Sequence, residues 1–304
     1  MAHFAQYMHW DVDITPTVVF TNYFKQCFNG AEFITKGQQV SGVLPLLGRI
    51  ASASTVPEIW DLAVSHLQPL GFTRLNYGCT RFRYDLSIGD PDDLVFLTTG
   101  SAEYAQRYFR GGLYARTPVY RWVTKNVGHC TWRWVQEAFV AGTLPPDEMD
   151  AVRLNLTMGV VAGVSISFPQ TSSRSKGALG MIADPGLSHD DVDAIWAAQG
   201  DEIIALANMM HLKISQLPMP TRRRPLTNRQ REALEWVADG KTAQDIAILM
   251  GVSPAMIEKH LRLARDALDV ETTAQAVAKG AMLNMIFQMA APGISVPVLE
   301  ILQG

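Results

Sequence analysis

The stretch G-K-T-A-Q-D-I-A-I-L-M-G-V-S-P-A-M-I-E-K-H-L, residues 240–261, contains two consecutive helix starts. Thr242, with Asp245 three residues later, forms a variant capping box in which the carboxylate reaches back to its own N-cap. Gly251 is a natural helix end, and Ser253 then provides an N-cap directly before a proline at the first helical position. The stretch therefore predicts two short helices joined by a glycine turn, which is the pattern of a helix-turn-helix.

The residues on either side extend this pattern into a helical domain. Upstream, Thr227 is a good N-cap for a helix that ends before Gly240, and downstream the helix opened by Pro254 runs to about residue 268. A bare three-helix bundle would match the pattern almost as well. DNA binding is favoured by the basic side chains on the exposed face of the last helix, which offer phosphate and base-edge contacts together with the three arginines of the linker at 222–224.

Charge alone does not decide between a DNA-binding surface and a solvated helix. Residues 222–287 hold ten Lys or Arg against eight Asp or Glu, so this part of the chain is only slightly basic. If the surface binds DNA, the candidate contacts are Thr242, Ser253, Met256, Glu258, Lys259, His260, Arg262 and Arg265.

The composition of the whole chain is that of a compact globular protein. Its 304 residues are enough for two domains, with 48% hydrophobic and 18% charged residues. No apolar stretch is long enough to span a bilayer, and the N-terminus lacks the basic and apolar regions of a secretory signal. We therefore expect a cytoplasmic protein with no membrane partner. The net charge of −3 says little about DNA, because an acidic domain masks a basic one.

The residues that carry chemistry show no catalytic pattern. Cys27, Cys79 and Cys130 are an odd number without C-x-x-C spacing, which argues against a disulfide framework and a zinc site and predicts buried free thiols. His129 is next to Cys130, but neighbours on a strand point to opposite faces and do not pair. The sequence contains no phosphate-binding glycine loop and no H-E-x-x-H motif. We expect no enzymatic activity, no metal and no cofactor.

The first part of the chain predicts a mixed domain. The run Q-L-P-M-P-T-R-R-R-P at 216–225 predicts an interdomain linker, and apolar spacing over 188–216 predicts one long helix before it. Helices around a mostly antiparallel sheet give an α+β fold, in the form of a layered α-β-α sandwich, followed by an all-α domain. The other predicted elements are helices at 43–53 and 56–70, a strand at 72–83 after Gly71, and a β-hairpin of strands at 160–168 and 178–183.

Residues 226–280 resemble the DNA-binding domain of the LuxR-type quorum-sensing regulators. The resemblance implies a four-helix domain whose last helix, at about 273–283, pairs two copies on a two-fold operator. The matching positions are Leu226, Thr227, Leu234, Gly240, Lys241, Thr242, Ile246, Ala247, Gly251, Val252, Ser253, His260, Leu261, Leu268, Ala276 and Val277.

Three positions depart from the family pattern. Gln230 stands where the family usually has Glu, Met256 where it usually has Thr, and Glu258 where several members have a basic or polar base-reading residue. A carboxylate near the groove repels phosphate but can accept from a cytosine amino group. We therefore expect an operator unlike the best-known family sequence.

The resemblance implies that the first domain is an autoinducer-binding domain with its ligand enclosed between sheet and helices. Two pocket residues of the family are replaced here: Tyr104 stands for the Trp that holds a lactone carbonyl, and Thr117 for the Asp that accepts an amide N–H. Losing an acceptor for a buried amide costs about 1–3 kcal/mol, which predicts weaker or redirected recognition. The candidate ligand contacts are Tyr77, Tyr104, Tyr108, Thr117, Pro118, Tyr120, Trp132 and Gly163, and the further aromatic candidates are Phe82, Trp122 and Trp134.

These expectations combine into a transcriptional regulator whose first domain senses an acyl- or aryl-homoserine lactone or a non-lactone analogue. Its expected partners are DNA, the small-molecule signal, a second copy in a homodimer, and RNA polymerase. The alternative is a ligand-independent LuxR-like protein that acts by mixed dimerisation with another regulator. The predicted divisions are an N-terminal extension at 1–40, the sensory domain at 41–215, the linker at 216–225, the helix-turn-helix domain at 226–288 and a tail at 289–304.

Overall fold

The computed structural model of the protein describes residues 42–84, 93–170, 172–219 and 224–287. The predicted N-terminal extension, Cys27, most of the arginine run of the linker and the predicted tail lie outside the described residues. All described residues belong to one compact unit that begins at Gly42.

The sensory domain alternates helices with the five strands of one sheet. Its elements are α1 (Val43–Ser52), α2 (Val56–Leu67), β1 (Arg74–Thr80), β2 (Val95–Thr98), α3 (Ala102–Ala105), α4 (Pro118–Lys125), β3 (Gly128–Thr131), α5 (Arg133–Val140), α6 (Pro146–Thr157), β4 (Gly163–Ser167), β5 (Lys176–Ile182) and α7 (His189–Gln216). A π-helical turn at Gln106–Arg110 continues α3, and a 3-10 turn at Leu113–Arg116 precedes α4.

Local sequence signals explain where these elements begin and end. Ser188 and Asp191 form a capping box at the start of the 28-residue helix α7, as the apolar spacing predicted. Gly71 separates the first helices from β1 with φ of 93°, a left-handed conformation that disfavours residues with a Cβ. The predicted strands at 72–83 and 160–168 are shorter in the structure, since their first residues connect the elements rather than pair.

The sheet is antiparallel throughout, in the order β2-β1-β5-β4-β3. The predicted hairpin is confirmed, because β4 and β5 are antiparallel neighbours and Ser165 lies opposite Gly180. Helices α1, α2 and α7 pack together on one side and α4 contacts β4 from the other, which gives the predicted layered α+β domain.

The two faces of this sheet differ in side-chain size. Alternate residues point to opposite faces, so the register fixes two sets. The packed face meets α2 and α7 and carries Leu75, Tyr77, Val164, Ile166, Phe168, Leu179 and Met181, all at most 3% exposed. The cavity face carries the opposite set, in which Phe96 and Ile182 are large and apolar and the following residues are small or polar: Asn76, Gly78, Thr80, Gly163, Ser165, Ser167, Lys176, Ala178 and Gly180.

The C-terminal part folds into the predicted four helices, with their caps in place. They are α8 (Asn228–Ala238), α9 (Ala243–Met250), α10 (Pro254–Leu268) and α11 (Thr273–Met282). The Thr242–Asp245 capping box is present, and Ser253 accepts from the Met256 N–H at 3.3 Å. Gln230, the departure from the family, completes a capping box with Thr227, because its amide accepts from the Thr227 N–H at 2.9 Å.

Helix α11 and the residues after it contact the sensory domain directly. The Lys279 ammonium lies 3.0 Å from the Asp93 carboxylate and 5.5 Å from the centre of the Phe82 ring. The Arg81 guanidinium, at the end of β1, donates to the carbonyls of Ser215 and Met282. The end of the sensory sheet and the DNA-binding helices are therefore held together by charged and hydrogen-bonded contacts within one chain.

The described end of the predicted linker forms hydrogen bonds with the C-terminal helices. Met219 is 3% exposed, and its N–H donates to the Leu283 carbonyl at 2.9 Å. The Asn284 amide donates to the carbonyls of Ser215 and Leu217, at 2.8 and 3.0 Å. This end of the linker packs against the C-terminal helices.

Candidate ligand cavity and DNA-binding surface

The cavity face borders a cavity with two lobes. The aromatic lobe, of about 110 Å³, lies between the sheet and α4 and includes Leu94, Phe96, Phe109, Tyr114, Tyr120, Val123 and Lys176. The outer lobe, of about 270 Å³, lies towards α5 and α6 and includes Tyr104, Trp132, Phe139, Asn155 and His189. The two lobes border each other at the centre of the sheet, where both are lined by Asn76, Tyr108, Thr117, Val119, Ser165 and Gly180.

Glycines on the cavity face let aromatic rings approach the backbone. A Cβ added at Gly163 would come within 2.3 Å of the Met181 backbone oxygen and 2.8 Å of the Trp132 ring, and one at Gly78 within 3.1 Å of the Phe96 ring. Distances this short force the neighbour to shift, so both rings depend on the missing side chains. Gly163 therefore contributes to the site by making room for Trp132.

Tyr104 belongs to a hydrogen-bonded chain on the sheet. Its hydroxyl accepts from the side-chain NH2 of Asn76 at 2.8 Å, and the side-chain oxygen of Asn76 accepts from the Thr98 hydroxyl at 2.7 Å. The Tyr104 ring stacks on Tyr108, with centroids 5.1 Å apart and 14° between the planes. Burial raises the pKa of Tyr104 to about 12, so the phenol keeps its proton at neutral pH.

Thr117 makes two hydrogen bonds within the local structure. It is 4% exposed and caps α4: its oxygen accepts from the Tyr120 N–H at 3.2 Å, and its hydroxyl donates to the Tyr114 carbonyl at 2.8 Å. A hydroxyl has one proton and two lone pairs, so one lone pair remains for a ligand N–H.

Trp132 and Ser165 fix the wall of the outer lobe. The Trp132 indole N–H donates to the Ser165 hydroxyl oxygen at 3.0 Å. Pro118, beside Thr117, is buried at the first position of α4. The outer lobe reaches the surface at Val140 and Val161, which line it and are 80% and 52% exposed.

Tyr77 borders the aromatic lobe, but its side chain points away from the other predicted ligand contacts. Its side chain lies on the packed face, 0% exposed, and its hydroxyl is 2.9 Å from His211 Nδ1. The Trp60 and Phe168 rings pack beside it. Burial lowers the pKa of His211 to about 4, so this pair is a neutral part of the core at physiological pH.

Seven of the eight candidate ligand contacts line one lobe or both, and the eighth, Gly163, lies beside the Trp132 ring. Phe82 lies against Lys279, and Trp122 and Trp134 do not line either lobe among the described residues. The alternation of small and apolar residues in G-V-S-I-S, residues 163–167, is the signal that identifies the cavity face. The lining residues that the reasoning missed include Asn76, Phe96, Phe109, Tyr114, Ser165, Lys176 and His189.

The predicted DNA contacts fall into three structural groups. Glu258, Lys259 and Arg262 are exposed on one face of α10, opposite the buried Ile257 and Leu261. Arg262 forms an ion pair with Asp266 at 3.1 Å, which DNA phosphates would compete with.

The remaining candidates are caps or partly buried contacts. Thr242 and Ser253 cap α9 and α10, and Met256 is 40% exposed at the start of α10. His260 is half-buried, and Arg265 donates to the Thr273 hydroxyl at 2.9 Å, so it joins α10 to α11.

Two family profiles match this chain. The one described as autoinducer binding domain matches residues 55–214, more than half of the chain. The chain belongs to this family. The one described as sigma-70, region 4 matches residues 225–268, which contain α8, α9 and α10. The resemblance to LuxR-type regulators and the expected α+β domain with a C-terminal helix-turn-helix are confirmed.

Named relatives agree with this assignment. The HTH-type quorum sensing-dependent transcriptional regulator RpaR of Rhodopseudomonas palustris is 34% identical over 97 residues, which span 32% of this chain and 40% of that relative. The transcriptional activator protein SolR of Ralstonia nicotianae is 26% identical over 237 residues, which span 75% of this chain and 92% of SolR. The crystal structure of Escherichia coli SdiA has a TM-score of 0.50 at 16% identity, covering 80% of this chain and 97% of that one.

The remaining expectations concern absent features, and the structure bears on them only where it is described. No helix among the described residues is long and apolar enough to cross a membrane. Within those residues, no group of three or more His, Cys, Asp or Glu is arranged to hold a metal ion. Cys79 and Cys130 carry free thiols, of which Cys79 is buried.

Proposed function

We propose that the protein is a transcriptional regulator of the quorum-sensing type, in which a small signal binds the cavity and α10 binds DNA. The observation that carries the proposal is the cavity itself. A sheet that presents small and polar residues on one face, under a cover of aromatic side chains, leaves space that a core would otherwise fill. That space lies in the domain that matches the autoinducer-binding family.

The polar groups of the cavity suit a ligand with a carbonyl oxygen. The Tyr104 hydroxyl accepts from Asn76, which leaves its proton free to donate to a ligand. Tyr104 occupies the position where the family has a Trp with an indole N–H, so a hydrogen-bond donor is retained at this position. The acceptor at the family's Asp position is weakened, because the Thr117 hydroxyl that replaces the carboxylate has one lone pair left after its bonds to Tyr114 and Tyr120. We therefore propose a ligand whose carbonyl is bound and whose amide, if it has one, is bound less strongly.

The second part of the proposal is DNA recognition by a homodimer. Lys259 and Arg262 on the exposed face of α10 supply phosphate or base contacts, and Glu258 accepts from a cytosine amino group. Two copies paired through α11 read a two-fold site, and RNA polymerase is a further partner at a promoter. The protein acts in the cytoplasm, where it reaches DNA.

A thermal-shift scan of the purified full chain tests the first part. The ligands are acyl-homoserine lactones of varied chain length, aryl-homoserine lactones and non-lactone aromatic compounds. A ligand that binds only the folded state raises Tm in proportion to its concentration over Kd. We expect one class to raise Tm by several degrees. If no class does, and the protein instead co-purifies with a second LuxR-type regulator, mixed dimerisation replaces this proposal.

DNA binding needs its own control. A Lys259→Ala, Arg262→Ala double variant should lose binding to a pool of promoter fragments while keeping the ligand-induced shift, because both side chains are exposed and far in sequence from the cavity. The matched control is Arg229→Ala, an exposed arginine at the start of α8 that pairs with Glu232. Equal loss in both variants would point to a general charge effect and contradict a specific role for α10.

A further inference from the structure

Lys176 is a charged side chain in the wall of the aromatic lobe. It is 6% exposed and begins β5 on the cavity face, opposite Thr80. Its ammonium donates to the Asn126 carbonyl at 2.9 Å. Among the described residues, no carboxylate lies within ion-pair distance of it, and no Asp or Glu lines either lobe.

A buried ammonium without a counter-ion is costly. Burial lowers the pKa of Lys176 to about 8, and the positive charge of Arg83 acts in the same direction. An ammonium has three donors, and the Asn126 carbonyl uses one of them. That carbonyl also accepts from the Ser167 hydroxyl at 2.6 Å, so the end of α4 has a second donor besides the lysine. Capping α4 therefore leaves donor capacity on Lys176.

The residues around Lys176 suit an amphipathic ligand. Phe96 and Phe109 pack with centroids 4.5 Å apart, and Tyr114 lies 5.5 Å from both Phe96 and Tyr120. These rings form an apolar pocket whose far end holds the ammonium. Arg83 acts on Tyr120 as well, lowering its pKa against the effect of burial, so this end of the lobe is electropositive.

We propose that the aromatic lobe binds a small carboxylate with an aryl or alkyl body, with the carboxylate at Lys176 and the body against Phe96, Phe109 and Tyr114. This rests on the proposed function and names the chemical class of its ligand: an organic acid rather than a neutral lactone. A charge-assisted hydrogen bond in a low-dielectric lobe provides both affinity and selection for the anion.

The test compares an acid with its neutral analogue. The probes are 3-phenylpropanoate and 3-phenylpropanamide, which have the same ring and chain and differ in charge. Their Kd values for the full chain are measured by calorimetry and checked by thermal shift. We expect the acid to bind more tightly by on the order of tenfold or more, as hydrogen bonds to charged groups do. Equal affinities would overturn the proposal.

Variants of Lys176 test whether this residue causes the preference for the acid over the amide. Lys176→Met keeps an unbranched side chain of similar length and should remove the preference for the acid, whereas Lys176→Arg should retain it. The matched control is Lys125→Met, an exposed lysine at the end of α4, which should leave both affinities unchanged. If Lys176→Met does not fold, the Arg variant and the acid-to-amide ratio of the unmodified protein decide. A preference that survives in Lys176→Met would overturn the proposal.

Binding of homoserine lactones tests the sensor function separately from the organic-acid ligand. Stabilisation by a lactone together with equal affinity for the two phenylpropanoyl probes would refute the organic-acid ligand and leave the sensor intact. No binding of lactone, acid or amide, combined with unchanged DNA binding, would refute both.

Discussion

The packed face and the cavity face of the sheet belong to the same strands but have opposite roles. On the packed face, Tyr77 and Phe168 are completely buried against α2 and α7. On the cavity face, Gly163 and Gly180 leave the space that rings from α3 and α5 border. The difference shows that one strand sequence, read at period two, specifies both a core and a binding site. Stability should therefore depend on one face and ligand recognition on the other.

The largest effect is expected on the packed face. Phe168→Ala removes a fully buried ring that stacks on His211, with centroids 4.2 Å apart. We expect a loss of about 3–5 kcal/mol in the free energy of unfolding, from lost burial and the cavity left behind. Chemical denaturation measures it. Ser165→Ala on the cavity face is the comparison and should cost about 1 kcal/mol, because it removes one acceptor from Trp132. Equal losses would contradict the division of roles.

Filling the cavity face should affect both stability and binding. Gly163→Ala brings a Cβ within 2.3 Å of the Met181 backbone oxygen and 2.8 Å of the Trp132 ring, so both the β4–β5 pairing and the ring must shift. We expect at least about 1–3 kcal/mol of destabilisation and loss of the ligand-induced rise in Tm. The comparison is Gly180→Ala, on the neighbouring strand, where the nearest atom to the new Cβ is the Asn76 backbone oxygen at 3.8 Å. This variant should cost little stability, and because Gly180 lines both lobes, its thermal shift reports the effect of the added methyl group on binding. An intact thermal shift in Gly163→Ala would show that ligand binding does not need the present position of Trp132.

Removing one hydroxyl from the cavity face should give a smaller effect. Tyr104→Phe deletes the group that accepts from Asn76 and that we propose donates to the ligand. Ligand Kd should rise by roughly fivefold, which corresponds to about 1 kcal/mol. Tyr114→Phe is the control, since the structure gives no hydrogen bond to that hydroxyl among the described residues. A larger loss of ligand affinity in Tyr114→Phe would indicate that the polar group of the ligand lies near Tyr114 instead.

Some of this organisation could be predicted from the sequence because its signals are local. The caps at Thr227, Thr242 and Ser253 and the left-handed Gly251 each act within four residues, so the helix boundaries in the C-terminal part agree with the prediction to within one or two residues. The long helix α7 was predicted from another local signal, its apolar spacing.

The cavity was harder to predict because it depends on register. Tyr77 is one residue from Asn76, and that single step decides whether a side chain enters the core or the cavity. Lys176 follows a polar turn, and nothing local indicates that the Asn126 carbonyl, 50 residues earlier, lies beside it. Contacts such as Lys279 with Asp93 join distant parts of the chain and have no sequence signal at all.

The stability of the protein should also depend on pH through Lys176. Its pKa is lowered to about 8 in the folded protein, against 10.5 for a free side chain, so between these values the unfolded chain binds a proton that the folded chain does not. The free energy of unfolding should therefore rise with pH across this interval and lose that contribution as pH falls to 8. Burial raises the pKa of Tyr120 to about 12, so this neighbour does not titrate in the interval. Denaturation curves of the unmodified protein and of Lys176→Met isolate the effect, which should be absent in the variant. Bound 3-phenylpropanoate should also suppress it, because the carboxylate restores the pKa of the ammonium; an identical slope with and without the acid would place the anion away from Lys176.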